Sequence, residues 1–148
     1  MQQPSIGLNL SMFLPWIPAY RRCGRGGFHT VPTRKKRGRA GGQKNPGRLG
    51  NGDRADSPTP VNVTGMSSGV LGIAAGGTQT CAWHGADSFS CWGNNIHGQI
   101  GNGRKGYVSH PGQVIGLDSG SSAVALGGEH ACAIKNGGVL CWGENRSG

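Results

Sequence analysis

The chain has 148 residues, of which 30 are glycine and 6% are aromatic, so it offers little material for a single large core. No stretch approaches the roughly 18 to 20 consecutive apolar residues that a membrane-spanning helix requires, so no such helix is expected. The net charge of +9 is unevenly placed: residues 1–48 hold ten of the fifteen Lys and Arg residues and no Asp or Glu. Nucleic-acid binding is therefore expected, if at all, only through residues 21–48.

The N-terminal segment, residues 1–46, is predicted to be a disordered basic leader, because it combines high charge with little apolar material. Its densest basic run fits either a solvated tail or a nuclear-localisation or nucleic-acid contact. The candidate nucleic-acid residues are Arg34, Lys35, Lys36, Arg37 and Arg39.

An apolar stretch lies near the start of this leader, at residues 6–20. Pro15 and Pro18 interrupt it, and no basic residue precedes it. A secretory signal peptide normally begins with positive charge and continues with an unbroken apolar run. The stretch therefore does not by itself identify an exported protein.

The rest of the chain repeats itself. When it is shifted by 51 residues, residues 47–81 match residues 98–132 at 13 of 35 positions without a gap. One residue is then lost, and Cys91-Trp92-Gly93 matches Cys141-Trp142-Gly143 at a shift of 50. Self-similarity at this period is typical of propellers and other repeat arrays. The predicted organisation is the leader, a first repeat at 47–97 and a second repeat at 98–148.

Each repeat contains short β-prone runs separated by Gly, Asn and Ser clusters, which predicts one four-stranded meander per repeat. In the first repeat the runs are Pro60–Val63, Val70–Ala75, Thr80–His84 and Ser88–Trp92. The predicted fold is all-β, an incomplete β-propeller of about two four-stranded blades. Because closed propellers have 4 to 8 blades, we expect a fragment of a longer array whose exposed blade faces self-associate.

The cysteine spacing predicts two clamped hairpins. Asn136-Gly137 is a preferred type I′ turn, and centring the hairpin there puts Cys132 opposite Cys141 at a non-hydrogen-bonded pair. Cα atoms at such a pair are about 4.5 Å apart, within disulfide range. A three-residue loop at 85–87 puts Cys81 opposite Cys91 in the same way. Each disulfide is expected to stabilise its repeat by about 2–3 kcal/mol.

Two other interpretations of the cysteines remain open at this point. They fit buried, reduced thiols in a cytosolic protein, since free cysteine is among the most buried residue types. They also fit part of a zinc site, with His130 beside Cys132. The first repeat has Gln79 where His130 stands, so that ligand is not duplicated, and a structural zinc site needs four ligands.

Three elements in order, Gly-Gly-x-x-x-Cys-Ala, then Cys-Trp-Gly-x-Asn, then Gly-Gln-Ile-Gly-Asn-Gly, carry a family resemblance. The unit resembles the repeat of the regulator of chromosome condensation family, especially its cysteine-bearing version in bacterial proteins and receptor ectodomains. The resemblance covers residues 47–148, with Arg48 in place of the usual glutamine in the first copy.

The resemblance implies a seven-bladed propeller and a protein-binding function. Members of the superfamily act as guanine nucleotide exchange factors for a small nuclear GTPase, as β-lactamase inhibitors or as extracellular propellers. Two units of this kind cannot close such a ring. The protein partner of this chain is not identified by its sequence.

Catalytic motifs are scarce. The six acidic residues are scattered and none recurs in both repeats, and no cofactor or metal site is predicted. Trp92 and Trp142 occupy the same repeat position and are expected to pack within or between blades. We therefore predict a non-catalytic protein-binding module. Facing cysteines favour an extracellular or cell-surface location. The alternative is a nuclear or cytoplasmic regulator of a small GTPase with a DNA-binding tail.

Overall fold

The computed structural model describes residues 23–25, 29–34, 37–42, 47–85 and 88–146. These residues form eleven strands in chain order and no α-helix. The strands are β1 (Cys23–Arg25), β2 (His29–Arg34), β3 (Arg37–Gly42), β4 (Ser57–Asn62), β5 (Val70–Ala75), β6 (Gln79–His84), β7 (Ser88–Gly93), β8 (Val108–Gln113), β9 (Ser121–Leu126), β10 (His130–Lys135) and β11 (Gly138–Gly143).

The strands form three antiparallel sheets, each built from consecutive strands. Sheet 1 contains β1 to β4, sheet 2 contains β5 to β8, and sheet 3 contains β9 to β11. This arrangement of meanders confirms the predicted all-β, incomplete propeller.

The boundary between blades differs from the predicted one. The first strand of each repeat pairs with the strand that precedes it in the chain. Ala40 of β3 lies opposite Val61 of β4, and Cys91 of β7 lies opposite Gly112 of β8. Each repeat thus completes the preceding sheet and then starts a new one, so the prediction of one meander per repeat was wrong. The reason is that β4 and β8 have chain neighbours on both sides, and periodicity does not say which neighbour accepts their hydrogen bonds.

Part of the expected disordered leader is also strand. β1, β2 and β3 lie within residues 23–42 and extend sheet 1 outward from β4. Composition indicated disorder because the segment is charged, but backbone pairing does not require apolar side chains when an unpaired strand edge is available. The remaining leader residues lie outside the described part of the chain.

The cores lie between neighbouring sheets. One cluster joins segments flanking β4 to sheet 2, and the next joins segments flanking β8 to sheet 3. Repeat-equivalent residues fill both positions, for example Val63 and Val114, or Ala82 and Ala133. The first cluster consists of Leu49, Val63, Met66, Val70, Ala82 and Trp92, and the second of Cys81, Phe89, Cys91, Ile100, Val114, Leu117, Val124 and Ala133.

Candidate functional site

The two cysteine pairs face each other across adjacent strands as the turn geometry predicts. Cys81 lies opposite Cys91 and Cys132 opposite Cys141, with Cα atoms 4.1 Å apart in both pairs. The structure contains both disulfides, with S–S distances of 2.03 Å and 2.11 Å. Their surroundings differ: the first pair is fully buried between sheets 2 and 3, whereas the second is partly exposed.

The turn that sets the second cysteine register also has the predicted conformation. Asn136 and Gly137 have φ angles of 50° and 80°, the positive values that a type I′ turn requires. In the first repeat His84 lies opposite Ser88, so the longer loop restores the same pairing. Local turn chemistry is therefore sufficient to place the sulfurs.

The two equivalent tryptophans join neighbouring blades. Trp92 of sheet 2 donates from Nε1 to the carbonyl oxygen of Arg48, in the connection between β3 and β4, at 2.8 Å. Trp142 of sheet 3 donates to the carbonyl oxygen of Gln99, in the connection between β7 and β8, at 2.9 Å. Both rings therefore serve as packing residues between blades.

The glycine two residues after each of these carbonyls leaves room for the indole ring. A Cβ atom at Gly50 would lie 2.7 Å from Trp92 Nε1, and one at Gly101 would lie 2.8 Å from Trp142 Nε1. Both glycines also have positive φ, at +68° and +73°. The repeated Gly-Asn-Gly element is thus explained by close approach of an aromatic ring as well as by backbone conformation.

We expect Gly101→Ala to destabilise the chain because the new methyl group meets both the Trp142 ring and a positive φ. Gly98→Ala is the matched control, since Gly98 has a φ of +81° but open space around it. The control should lose only about 1–2 kcal/mol from backbone strain. Urea denaturation followed by circular dichroism should show a clearly larger loss for Gly101→Ala, and equal losses would contradict the packing role of the glycine.

A second contact between sheets 2 and 3 lies where the start of β6 meets the turn between β9 and β10. The buried side chain of Gln79 donates from Nε2 to the carbonyl oxygens of Gly127 and His130, at 3.1 Å and 3.2 Å. The backbone N–H of Gly77 donates to the same Gly127 oxygen at 3.1 Å. These bonds connect sheet 2 to backbone carbonyls of sheet 3 and fix the relative position of the two blades.

The connection between β7 and β8, residues 94–107, is organised by one buried side chain. Asn95 donates from Nδ2 to Asn102 Oδ1 at 3.1 Å and to the Arg104 carbonyl at 2.8 Å. Its Oδ1 accepts from the Ile100 backbone N–H at 2.9 Å. Its carbonyl oxygen accepts from the N–H groups of Gly98 and Gly106. These hydrogen bonds fix the backbone of the connection, and with it the positions from which its exposed side chains project.

Asn95→Ala should cost about 2–4 kcal/mol of stability, because it removes three hydrogen bonds at a buried position and leaves their partners unsatisfied. Asn145→Ala is the matched control, since Asn145 holds the same position in the second repeat and is exposed. Chemical denaturation should show a change within about 0.5 kcal/mol for the control. A similar loss in both variants would contradict the organising role of Asn95.

Exposed apolar and basic side chains lie on this connection. Ile96 and Tyr107 are each 43% exposed, and Arg104 and Lys105 between them are also exposed. Aromatic residues and arginine are enriched in protein interfaces. We call residues 94–107 the display loop.

Three of the five candidate nucleic-acid residues lie on strands β2 and β3. Arg34 ends β2 and lies opposite Arg37, the first residue of β3, while Arg39 lies opposite Asn62 of β4. Lys35 and Lys36 lie outside the described residues. The hairpin places Arg34 opposite Arg37, which a disordered tail would not do.

One cluster of potential metal ligands among the described residues was not found from the sequence. His97, Glu129 and Glu144 place their ligand atoms within 4.8 Å of one another, and His97 Nε2 lies 3.0 Å from Glu129 Oε2. The three residues come from sheet 2 and sheet 3 connections that are distant in the chain. No spacing rule links them, and none of them has an identical counterpart in the other repeat.

Burial also lowers the pKa of one side chain in the first repeat, that of Arg48. The side chain of Arg48 is buried where the second repeat has Gln99. Removal from water lowers the pKa of the Arg48 guanidinium, and Tyr107 on the display loop opposes this with a smaller contribution. The departure from the repeat pattern at residue 48 therefore places an arginine side chain inside the joint between sheets 1 and 2.

Comparison with solved structures supports the fold. Human WBSCR16 superposes with a TM-score of 0.69 at 22% identity, covering 90% of this chain and 37% of that one. Prp20p from Saccharomyces cerevisiae, whose structure was described with its binding to Gsp1p and histones, gives 0.67 at 20% identity and covers 84% and 32%. At this level of identity the likeness shows the fold alone. No helix able to cross a membrane occurs among the described residues.

Sequence comparison gives the same result. The ultraviolet-B receptor UVR8 of Arabidopsis thaliana is 28% identical over 112 residues, covering 72% of this chain and 25% of the receptor. The chain thus spans a quarter of that relative and about a third of the matched structures. The regulator of chromosome condensation (RCC1) repeat matches residues 40–83 and 91–134, and a second form of it matches residues 122–148. Since these matches cover more than half of the chain, the protein belongs to the regulator of chromosome condensation repeat family.

Proposed function

We propose that this chain is a non-catalytic protein-binding module and a segment of a larger exported or cell-surface propeller. The observation that carries the proposal is the display loop, where Asn95 organises the backbone and Ile96 and Tyr107 remain exposed. Binding surfaces of this kind place rigid aromatic and aliphatic anchors beside polar rims. The neighbouring Arg104 and Lys105 favour a partner with acidic groups around an apolar contact.

The environment of a serine–histidine contact supports a binding role over catalysis. His84 Nε2 lies 2.8 Å from Ser90 Oγ, within hydrogen-bond distance. Ser90 is 9% exposed and lies in the middle of β7, so its hydroxyl is poorly placed to meet a substrate. The contact is accounted for by hydrogen bonding between adjacent strands.

The cysteine pairs support export. Cross-strand disulfides persist in oxidising compartments and are rare in the cytosol. Protein isolated from its own host under thiol-blocking conditions should therefore contain the Cys81–Cys91 and Cys132–Cys141 linkages by non-reducing peptide mapping. Four blocked free thiols would contradict an exported location.

A photo-crosslinking residue placed at position 107 tests the binding surface. In the host, this variant of the full chain should form a discrete covalent adduct with a protein. Position 71 is the matched control, because Leu71 is 44% exposed but lies on β5 at the opposite end of sheet 2. Adducts at both positions, or at neither, would contradict a specific role for the display loop.

A second candidate function is regulation of a small GTPase at chromatin, with the basic run on DNA. It is favoured by the likeness to Prp20p and by the clustering of Arg34, Arg37 and Arg39 on one hairpin. This function predicts DNA binding that weakens steeply with salt and disappears when residues 1–46 are deleted. DNA affinity that is unchanged by the deletion would exclude the tail as its source.

A further inference from the structure

We propose that His97, Glu129 and Glu144 form a binding site for a divalent transition-metal ion, with Zn²⁺ as the test ion, at the joint between sheets 2 and 3. His97 lies on the display loop, Glu129 in the turn between β9 and β10, and Glu144 directly after β11. All three ligand atoms lie within 4.8 Å of one another, so one ion can contact all of them. A bound ion would connect two blades that the chain joins only through the β8–β9 segment.

The backbone that brings the two glutamates together is a feature of the repeat. Glu144 donates its N–H to the Glu129 carbonyl at 2.9 Å. At the corresponding place in sheet 2, Asn94 donates its N–H to the Thr78 carbonyl at 3.0 Å. The same scaffold thus occurs twice, but it carries carboxylates only in sheet 3. The fold therefore requires a carboxylate at neither position.

The backbone of His97 is held by Gln99, a buried residue of the same loop. The backbone N–H of His97 donates to Gln99 Oε1 at 3.0 Å, and the side chain of Gln99 is fully buried. The carbonyl oxygen of Gln99 in turn accepts from Trp142 Nε1 of sheet 3. Gln99 therefore fixes the backbone position of His97 relative to the blade that carries both glutamates. Support of this kind holds ligands in place before the ion arrives.

The charges favour a cation at this position. Two carboxylates that lie close together repel each other. Each is in contact with one basic side chain: Glu129 with His97, and Glu144 with Arg146, whose Nε lies 2.6 Å from Glu144 Oε1. Both carboxylates and the imidazole are only partly exposed, so repulsion is less screened than on an open surface while an ion can still enter. A metal ion would compete with Arg146, which is itself largely exposed.

The donor set indicates the class of ion. One imidazole nitrogen and two carboxylate oxygens suit Zn²⁺ and its first-row neighbours, whereas Ca²⁺ and Mg²⁺ prefer oxygen ligands alone. Three protein ligands leave a fourth position of a tetrahedral Zn²⁺ for water. The sulfurs of Cys81, Cys91, Cys132 and Cys141 are not ligands of this site, because they are bonded to each other in disulfides.

Isothermal titration of the chelator-treated full chain with Zn²⁺ tests the proposal. We expect one Zn²⁺ per chain and no comparable binding of Ca²⁺. His97→Gln and Glu129→Gln should each weaken binding at least tenfold, with far-ultraviolet circular dichroism unchanged. His110→Gln and Cys23→Ser are controls that should retain wild-type affinity, because each removes another potential ligand that does not belong to the proposed site.

A second readout separates binding at the joint from binding elsewhere. Zn²⁺ should raise the unfolding midpoint of the wild-type chain and of both controls, because an ion that binds only the folded joint stabilises it. It should not raise that of His97→Gln or Glu144→Gln. Absence of Zn²⁺ binding in the wild type, full affinity in the His97 variant, or loss of binding in a control would each overturn the proposal.

Discussion

Trp92→Ala is expected to abolish the cooperative unfolding transition of the chain. Trp92 is 0% exposed and belongs to the core between sheets 1 and 2. Removing a buried tryptophan side chain costs about 3–5 kcal/mol, mainly through lost packing and the resulting cavity. The variant also leaves the Arg48 carbonyl without its indole donor. A loss of this size is a large fraction of the stability of an ordinary domain.

The equivalent tryptophan provides the matched control. Trp142 makes the same hydrogen bond in the next repeat, but its ring is only partly buried, so Trp142→Ala should cost less. Thermal and urea unfolding followed by circular dichroism avoid the change in tryptophan fluorescence that the substitution itself causes. A Trp142 variant as damaged as the Trp92 variant would contradict the role assigned to complete burial.

Removal of the first disulfide, through Cys81→Ala and Cys91→Ala together, is expected to lower the unfolding free energy by about 3 kcal/mol or more. The chain-entropy contribution of a loop this short is about 3 kcal/mol. Both sulfurs are also buried in the core between sheets 2 and 3, so packing contributes in addition. Urea denaturation of the double variant against the oxidised wild type measures the loss.

The second disulfide distinguishes these two contributions. Cys132 and Cys141 are separated by nine residues and Cys81 and Cys91 by ten, so the entropic contributions are nearly equal. The second pair is partly exposed, and the double variant Cys132→Ala, Cys141→Ala should therefore lose less stability. A larger loss for the second pair would mean that burial between blades does not strengthen the first.

One face of sheet 3 carries exposed apolar side chains. Ile134 of β10 and Val139 of β11 lie opposite each other on one face of sheet 3 and are exposed, Val139 at 69%. In sheet 2 the equivalent face is covered by sheet 3. Self-association through this face therefore stays a prediction, which concentration-dependent sedimentation can test.

Features set by residues close together in the chain could be derived from the sequence. The Asn136-Gly137 turn requires positive φ at two positions, and this requirement alone fixes which residues face each other in the hairpin. The cysteine pairing follows, because a two-residue turn leaves Cys132 and Cys141 no other register. The repeat itself, and with it the all-β class, follows from matching residues at a fixed spacing.

Features that depend on which strands become neighbours were decided only by the tertiary structure. β4 and β8 complete the preceding sheet, and β1 to β3 extend it, because backbone hydrogen bonds form with whichever edge is available. The cluster of His97 with Glu129 and Glu144 arises because two blades meet at one joint. Periodicity describes each blade separately, whereas contacts between blades depend on how the sheets stack, so residues distant in the chain acquire a shared role only after folding.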